Sequence, residues 1–148
     1  MYYFDTSFLA PLILEEATSA RVEAFVAKLP AGALFVSDWT RLEFASLLAR
    51  EVRMGGLAES DARGADEQFA QMVEESYQVV TPSASDFALA TNYVQNFATK
   101  LRAGDALHLA IARNHAMKAL YTLDEMMLKA ARLLRVPAAR GIARTLRK

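Results

Sequence analysis

The chain has 148 residues, with 17 Lys+Arg against 17 Asp+Glu and no cysteine. The zero formal charge hides an asymmetry, because residues 1–99 carry 14 acids and 6 bases while residues 100–148 carry 3 acids and 11 bases, which points to a charged partner or a metal. The absence of cysteine excludes disulfides, thiolate nucleophiles and Cys-ligated zinc, and a 53% hydrophobic composition excludes disorder without any run approaching the ~20 apolar residues of a membrane-spanning helix.

In chain order, Tyr2 to Thr6 reads as a short aromatic strand, and Thr6-Ser7 offers N-cap chemistry for an apolar helix from near Phe8, with Pro11 in or just past its first turn. A second helix is predicted over 19–29, with Val22, Phe25, Val26 and Leu29 on one face, ending at Pro30-Ala31-Gly32. A strand follows at 34–37. Ser37 or Asp38 then caps a long helix to about Met54, stopped by Gly55-Gly56, and a further helix over 59–76 completes a helical hairpin. Tyr77 to Thr81 is a strand, and Ser83 or Ser85 caps a helix to about Thr99. Gly104-Asp105 opens an Ala-rich helix to about Ala116, and Ala119 to Thr122 is a strand. A last helix over 124–134 precedes a short edge strand at Val136-Pro137 and a basic tail. Strands separated by helices imply a three-layer α/β/α fold with a four- to five-stranded parallel sheet. The N-terminus lacks a basic start and long apolar stretch, so a cytoplasmic protein is expected.

His108 and His115 are the two histidines, and they lack an H-E-x-x-H spacing, so carboxylates must carry any chemistry. Asp5 and Asp124 each follow a strand, and the carboxyl ends of parallel strands border the ligand crevice of an open α/β sheet. Both positions also suit helix capping. Glu43 shares a helix face with Trp39 and Leu47, an apolar face on which an unpaired carboxylate costs several kcal/mol. Asp105 opens a helix whose only other polar group in its first two turns is His108, which is expected to be a satisfied core residue. Carboxylates converging within ~4–6 Å repel one another unless a divalent cation neutralises them. An all-oxygen set selects a hard ion, Mg²⁺ or Mn²⁺ in its place, suited to phosphodiester hydrolysis.

Four stretches give the chain a family resemblance: Tyr3-Phe4-Asp5-Thr6-Ser7, Ser37 through Thr40 to Glu43, Leu101-Arg102-Ala103-Gly104-Asp105-Ala106-Leu107-His108-Leu109-Ala110, and Tyr121-Thr122-Leu123-Asp124. It resembles the PIN-domain ribonucleases, and among them the VapC-like toxins of type II toxin-antitoxin pairs. The resemblance implies a PIN-like fold over residues 1–137, with residues 138–148 as a basic C-terminal extension. It implies Asp5, Glu43, Asp105 and Asp124 as catalytic and metal-holding residues. Thr6 or Ser7 would be the hydroxyl that orients the acidic centre, with Thr122 in a similar part. It further implies an RNA substrate, a small antitoxin covering the acidic groove, and a homodimer, with which the apolar face around Phe69, Met72 and Val73 is compatible.

An acidic centre that cuts RNA needs a basic rim, for which Arg41, Lys100, Arg102 and the tail arginines are candidates. A PIN-like module that binds RNA or protein without cutting is the main alternative. An aspartyl phosphatase fits less well, because Ser7 stands where its second acid would be, and the acidic pair and late lysine of a receiver domain are missing.

Overall fold

A computed structural model describes residues 1–144. Its centre is a five-stranded, all-parallel sheet in the order β3-β2-β1-β4-β5, built from β1 (Tyr2–Phe4), β2 (Leu34–Ser37), β3 (Gln78–Val80), β4 (Ala119–Tyr121) and β5 (Ala138–Ala139). The helices are α1 (Thr6–Leu9), α2 (Ser19–Val26), α3 (Asp38–Arg53), α4 (Glu59–Ser76), α5 (Ala84–Gln95), α6 (Ala103–Asn114) and α7 (Glu125–Leu134). Among the described residues, no helix is long and apolar enough to cross a membrane.

Side chains along a strand alternate between faces, and here that alternation separates two cores. Tyr3 and Leu120 point into one core with α5, α6 and α7, whereas Phe4, Leu34 and Val36 point into the other with α1 to α4. The central strand β1 is covered on both sides, and its Tyr3 and Phe4 are fully buried. The second core is rich in aromatic contacts, including Phe4 stacked on Tyr121 at 5.5 Å and Phe25 edge-on to Tyr121 at 4.7 Å between ring centroids.

Several boundaries differ from the sequence expectation. α2 ends at Val26, and residues to Leu29 form turns; α5 ends at Gln95, and Phe97–Thr99 is a separate 3-10 turn. The edge strand lies at Ala138–Ala139, two residues beyond Val136-Pro137. Proline at 137 has no N–H to give a ladder, but its carbonyl accepts from Leu120 N at 2.9 Å and leads into the pairing. Ile142 then packs in the second core, while the tail beyond Arg144, including Arg147 and Lys148, lies outside the described residues.

The helical hairpin forms as expected from α3 and α4. Ser37 caps α3 through a reciprocal box with Thr40. The hairpin seam is aromatic, with Phe44 stacked on Phe69 at 4.1 Å, and Phe69 and Val73 are buried within the chain. Of the apolar face around Phe69, Met72 and Val73, two residues are therefore interior to the chain and do not face outward.

Candidate active site

Because all strands run parallel, the C-terminal ends of β1, β2 and β4 share one edge. The chain order changes direction between β1 and β4, the place where such sheets open a crevice. The register pairs Phe4 with Tyr121, so Asp5 and Thr122 emerge side by side. Thr122 Oγ1 donates to Asp5 Oδ2 at 2.6 Å, and Ser7 Oγ donates to Asp5 Oδ1 at 2.8 Å. The Phe8 amide donates to the same Oδ1 at 3.0 Å, which makes Asp5, and not Thr6 or Ser7, the N-cap of α1. Asp5 is 3% exposed. Burial pushes its carboxyl above the ordinary range, against the opposing electrostatic pull of nearby His108 and of these donors.

Thr122 also accepts the Asp124 amide at 3.0 Å and sits 3.1 Å from Ser7 Oγ, so one hydroxyl ties β1, β4 and the start of α7 together. Asp124 caps α7 through Oδ1, accepting from Met126 N at 2.8 Å and Met127 N at 3.2 Å. Capping and a place at the crevice are thus compatible for both Asp5 and Asp124, since each cap fixes its carboxylate at the sheet edge.

Glu43 reaches the same edge from α3. Thr6 Oγ1 donates to its Oε1 at 2.7 Å, and His108 Nε2 on α6 meets the same oxygen. Burial alone would raise this carboxyl, but the hydrogen bond and electrostatic pull of the His108 N–H, with smaller help from Thr6 and Trp39, hold it below the ordinary carboxylate range. The other ring nitrogen of His108, Nδ1, lies 2.7 Å from the Tyr3 hydroxyl, which is 2.8 Å from Ser37 Oγ. Gly104 makes room for this arrangement: a Cβ there would stand 2.9 Å from Glu43 Oε2 and 3.0 Å from Trp39 Cζ2.

Asp105 lies in the first turn of α6, whose N-cap is Arg102, and its carboxylate accepts no hydrogen bond among the described residues. Burial first, then the negative charge of Asp124, push it up to about 6; His108 opposes, and Asp5 and Glu43 add to the rise. The four carboxylates are therefore electrostatically coupled. Among the described residues no three Asp, Glu or His side chains stand close enough to enclose a metal ion. The chemistry of the donors still suits a hard divalent cation: the carboxylates supply only oxygen, and their excess negative charge faces a single imidazole.

The basic candidates separate. Lys100 and Arg102 are exposed beside the start of α6 and form no ion pair among the described residues. Arg41 is two residues from Glu43, about 200° round the helix, and is bound by both Nη atoms to Asp66 while lying over the Phe69 ring at 5.8 Å. It braces the hairpin. In the tail, Arg140 and Arg144 both pair with Glu125 at 3.0 and 2.9 Å. Sequence reasoning missed Tyr3 and Gly104 as parts of the site. The available signal was a strand tyrosine and a helix histidine, each in apolar surroundings and each needing a buried partner.

A family model described as the PIN domain matches residues 2–133. Among solved structures, the chain is similar to VapC20 of Mycobacterium tuberculosis, described as a sarcin-ricin loop cleaving toxin, at 21% identity over 88% of this chain and 95% of that one, with a TM-score of 0.71. It is also similar to FitAcB from Neisseria gonorrhoeae, at 18% identity over 95% and 98% of the two chains, with a TM-score of 0.74. VapBC-1 from nontypeable Haemophilus influenzae aligns at 14% identity over 95% and 97%, with a TM-score of 0.67. No curated protein matches the sequence. These structural likenesses speak for the fold, and the family match spans the sheet from β1 through β4 and all four carboxylates: the chain belongs to the PIN-domain family.

Proposed function

We propose that the protein is a Mg²⁺-dependent endoribonuclease, with Mn²⁺ able to substitute, and the toxin of a toxin-antitoxin pair that blocks translation by cutting RNA. The observation that carries this reading is the convergence of Asp5, Glu43, Asp105 and Asp124 on one sheet edge, where burial and, after it, the charges of Asp124, Asp5 and Glu43 raise Asp105 to about 6. Asp5, Asp105 and Asp124, with Glu43, would hold the cation, which when bound offsets the repulsion among them and stabilises charge developing on a phosphodiester. Glu43, kept ionised by its donors, orients the attacking water and takes its proton. Thr122 and Ser7 hold the Asp5 carboxylate in one orientation. Lys100 and Arg102 give backbone phosphates a cationic rim. In-line hydrolysis leaves 5′-phosphate and 3′-hydroxyl ends.

The toxin role is supported by the likeness to a toxin that cleaves the sarcin-ricin loop. A small antitoxin covering the acidic groove, a homodimer and a cytoplasmic location complete the reading. One observation favours a second reading, a PIN-like module that binds RNA or protein without cutting: the carboxylates do not form a closed metal shell as they stand. Two experiments separate them. Induced expression should arrest bacterial growth, with Asp5→Asn relieving the arrest, and calorimetry should show Mn²⁺ binding that Asp5→Asn weakens. Growth arrest that Asp5→Asn leaves intact, together with no heat of Mn²⁺ binding, would favour the non-cleaving module.

A further inference from the structure

We propose that Tyr3 and His108 form a buried positioning relay that leaves one atom of Glu43, Oε2, to act on water; this rests on the ribonuclease reading above. His108 is 1% exposed in a helix that is otherwise apolar over its buried face, so both ring nitrogens need partners inside the protein. They have them. Nδ1 lies 2.7 Å from the Tyr3 hydroxyl, and Nε2 meets Glu43 Oε1.

The direction of the relay follows from counting protons. Tyr3 is completely buried, and burial keeps its phenol protonated, so its oxygen always carries one hydrogen to donate. The Ser37 and Thr40 hydroxyl oxygens lie 2.8 and 3.4 Å from that oxygen and can donate to it. The Glu43 carboxylate has no hydrogen to give, so Nε2 must carry the proton between them, and in the neutral ring Nδ1 is then free to accept from Tyr3. Tyr3 therefore donates to Nδ1, and the ring proton sits on Nε2, facing Glu43.

Glu43 Oε1 then receives two hydrogen bonds, from His108 Nε2 and from Thr6 Oγ1 at 2.7 Å. Both bonds fall on that one oxygen. Oε2 accepts from neither His108 nor Thr6, the Trp39 indole gives the carboxylate only the smallest of its stabilising contributions, and the absent Cβ at Gly104, which would stand 2.9 Å from Oε2, leaves that oxygen unobstructed on one side. The relay joins β1, α3 and α6, so the orientation of the carboxylate is set by the fold and not by the helix that carries it.

The test joins a spectroscopic and a kinetic measurement. Long-range ¹H–¹⁵N NMR of the full chain, with His115→Gln used to assign the signals, should show His108 as the Nε2–H tautomer, and Tyr3→Phe should convert it to a mixture. In RNA cleavage with saturating Mg²⁺, Tyr3→Phe should lower kcat about tenfold with KM within about twofold. His108→Leu should lower kcat further, and His108→Gln, whose amide N–H replaces Nε2–H, should recover most of the loss. Circular dichroism checks folding; if His108→Leu does not fold, Tyr3→Phe and His108→Gln decide the matter. An Nδ1–H tautomer or a doubly protonated ring overturns the relay. So do wild-type kcat values in Tyr3→Phe and His108→Leu while Glu43→Gln is inactive, a result that leaves the ribonuclease reading standing. If the wild-type protein cuts no RNA, the reading and the relay's role fall together.

Discussion

Asp105→Asn keeps the shape of the side chain and removes one charge from a position where the fold disfavours it. Burial and the carboxylates of Asp124, Asp5 and Glu43 raise the Asp105 carboxyl from 3.8 to about 6, against the pull of His108. A rise of that size corresponds to ~3 kcal/mol of lost folding stability above the raised value. Water reaching this partly exposed group screens the interaction, so ~1–2 kcal/mol is the expected effect. Below about pH 3 the group is protonated in both folded and unfolded chains and costs nothing. As the pH rises the unfolded chain ionises first, so wild-type stability falls until the folded carboxyl also ionises near pH 6 and is level thereafter. Urea unfolding in EDTA at pH 7.5 should therefore find Asp105→Asn more stable by ~1–2 kcal/mol, with the gap closing by about pH 3. Mg²⁺ should then stabilise the wild type more than the variant, since a cation at a hundred times its Kd adds ~2.7 kcal/mol. Equal or lower stability of the variant at pH 7.5, or a gap that persists unchanged at low pH, would refute the reasoning.

Gly104→Ala separates stability from activity. Alanine is favoured over glycine in a helix by ~1 kcal/mol, but its Cβ would press on Glu43 Oε2 from 2.9 Å; thermal melts should show little loss while kcat falls at least about tenfold, and full turnover would show that Oε2 is not the working atom. Thr122→Val removes the donor to Asp5 at 2.6 Å and the acceptor of the Asp124 amide at 3.0 Å. It should cost ~2–4 kcal/mol in urea unfolding, and a loss under ~1 kcal/mol contradicts the bridging role. Arg41→Met should leave the salt dependence of RNA binding unchanged, because its guanidinium is held by Asp66, whereas Lys100→Ala and Arg102→Ala should each reduce the log-log salt slope by about one; the reverse pattern would return Arg41 to the RNA surface.

Most of this architecture is legible in the residues because each core needs one period. Tyr3 and Phe4 alternate across the sheet, and Ser37 with Thr40 spells out a capping box. The strand acids Asp5 and Asp124 are readable for the same reason, since a parallel sheet puts every strand end on one edge. Glu43 is readable because a carboxylate on an apolar helix face requires a partner. What local sequence does not carry is which partner. Arg41 and Glu43 are both charged residues of α3, and only the packing of α4 shows that Arg41 belongs to Asp66 while Glu43 belongs to Thr6 and His108. His108 was rightly expected in the core, but its link to Tyr3 spans 105 positions in sequence. The apolar face of Phe69 and Val73 must be covered by something, and only the fold shows that the cover lies within the chain, where Phe44 stacks on Phe69.

The central claim is that these four carboxylates make a metal-dependent nuclease, and cleavage of end-labelled RNA by the purified full chain tests it most directly. With Mg²⁺ or Mn²⁺ the wild type should release fragments bearing 5′-phosphate ends. EDTA should stop the reaction, and Asp5→Asn, Glu43→Gln, Asp105→Asn and Asp124→Asn should each lower the rate by at least about a hundredfold. Intact RNA with every cation, or cleavage that persists in EDTA and in all four variants, would contradict the account.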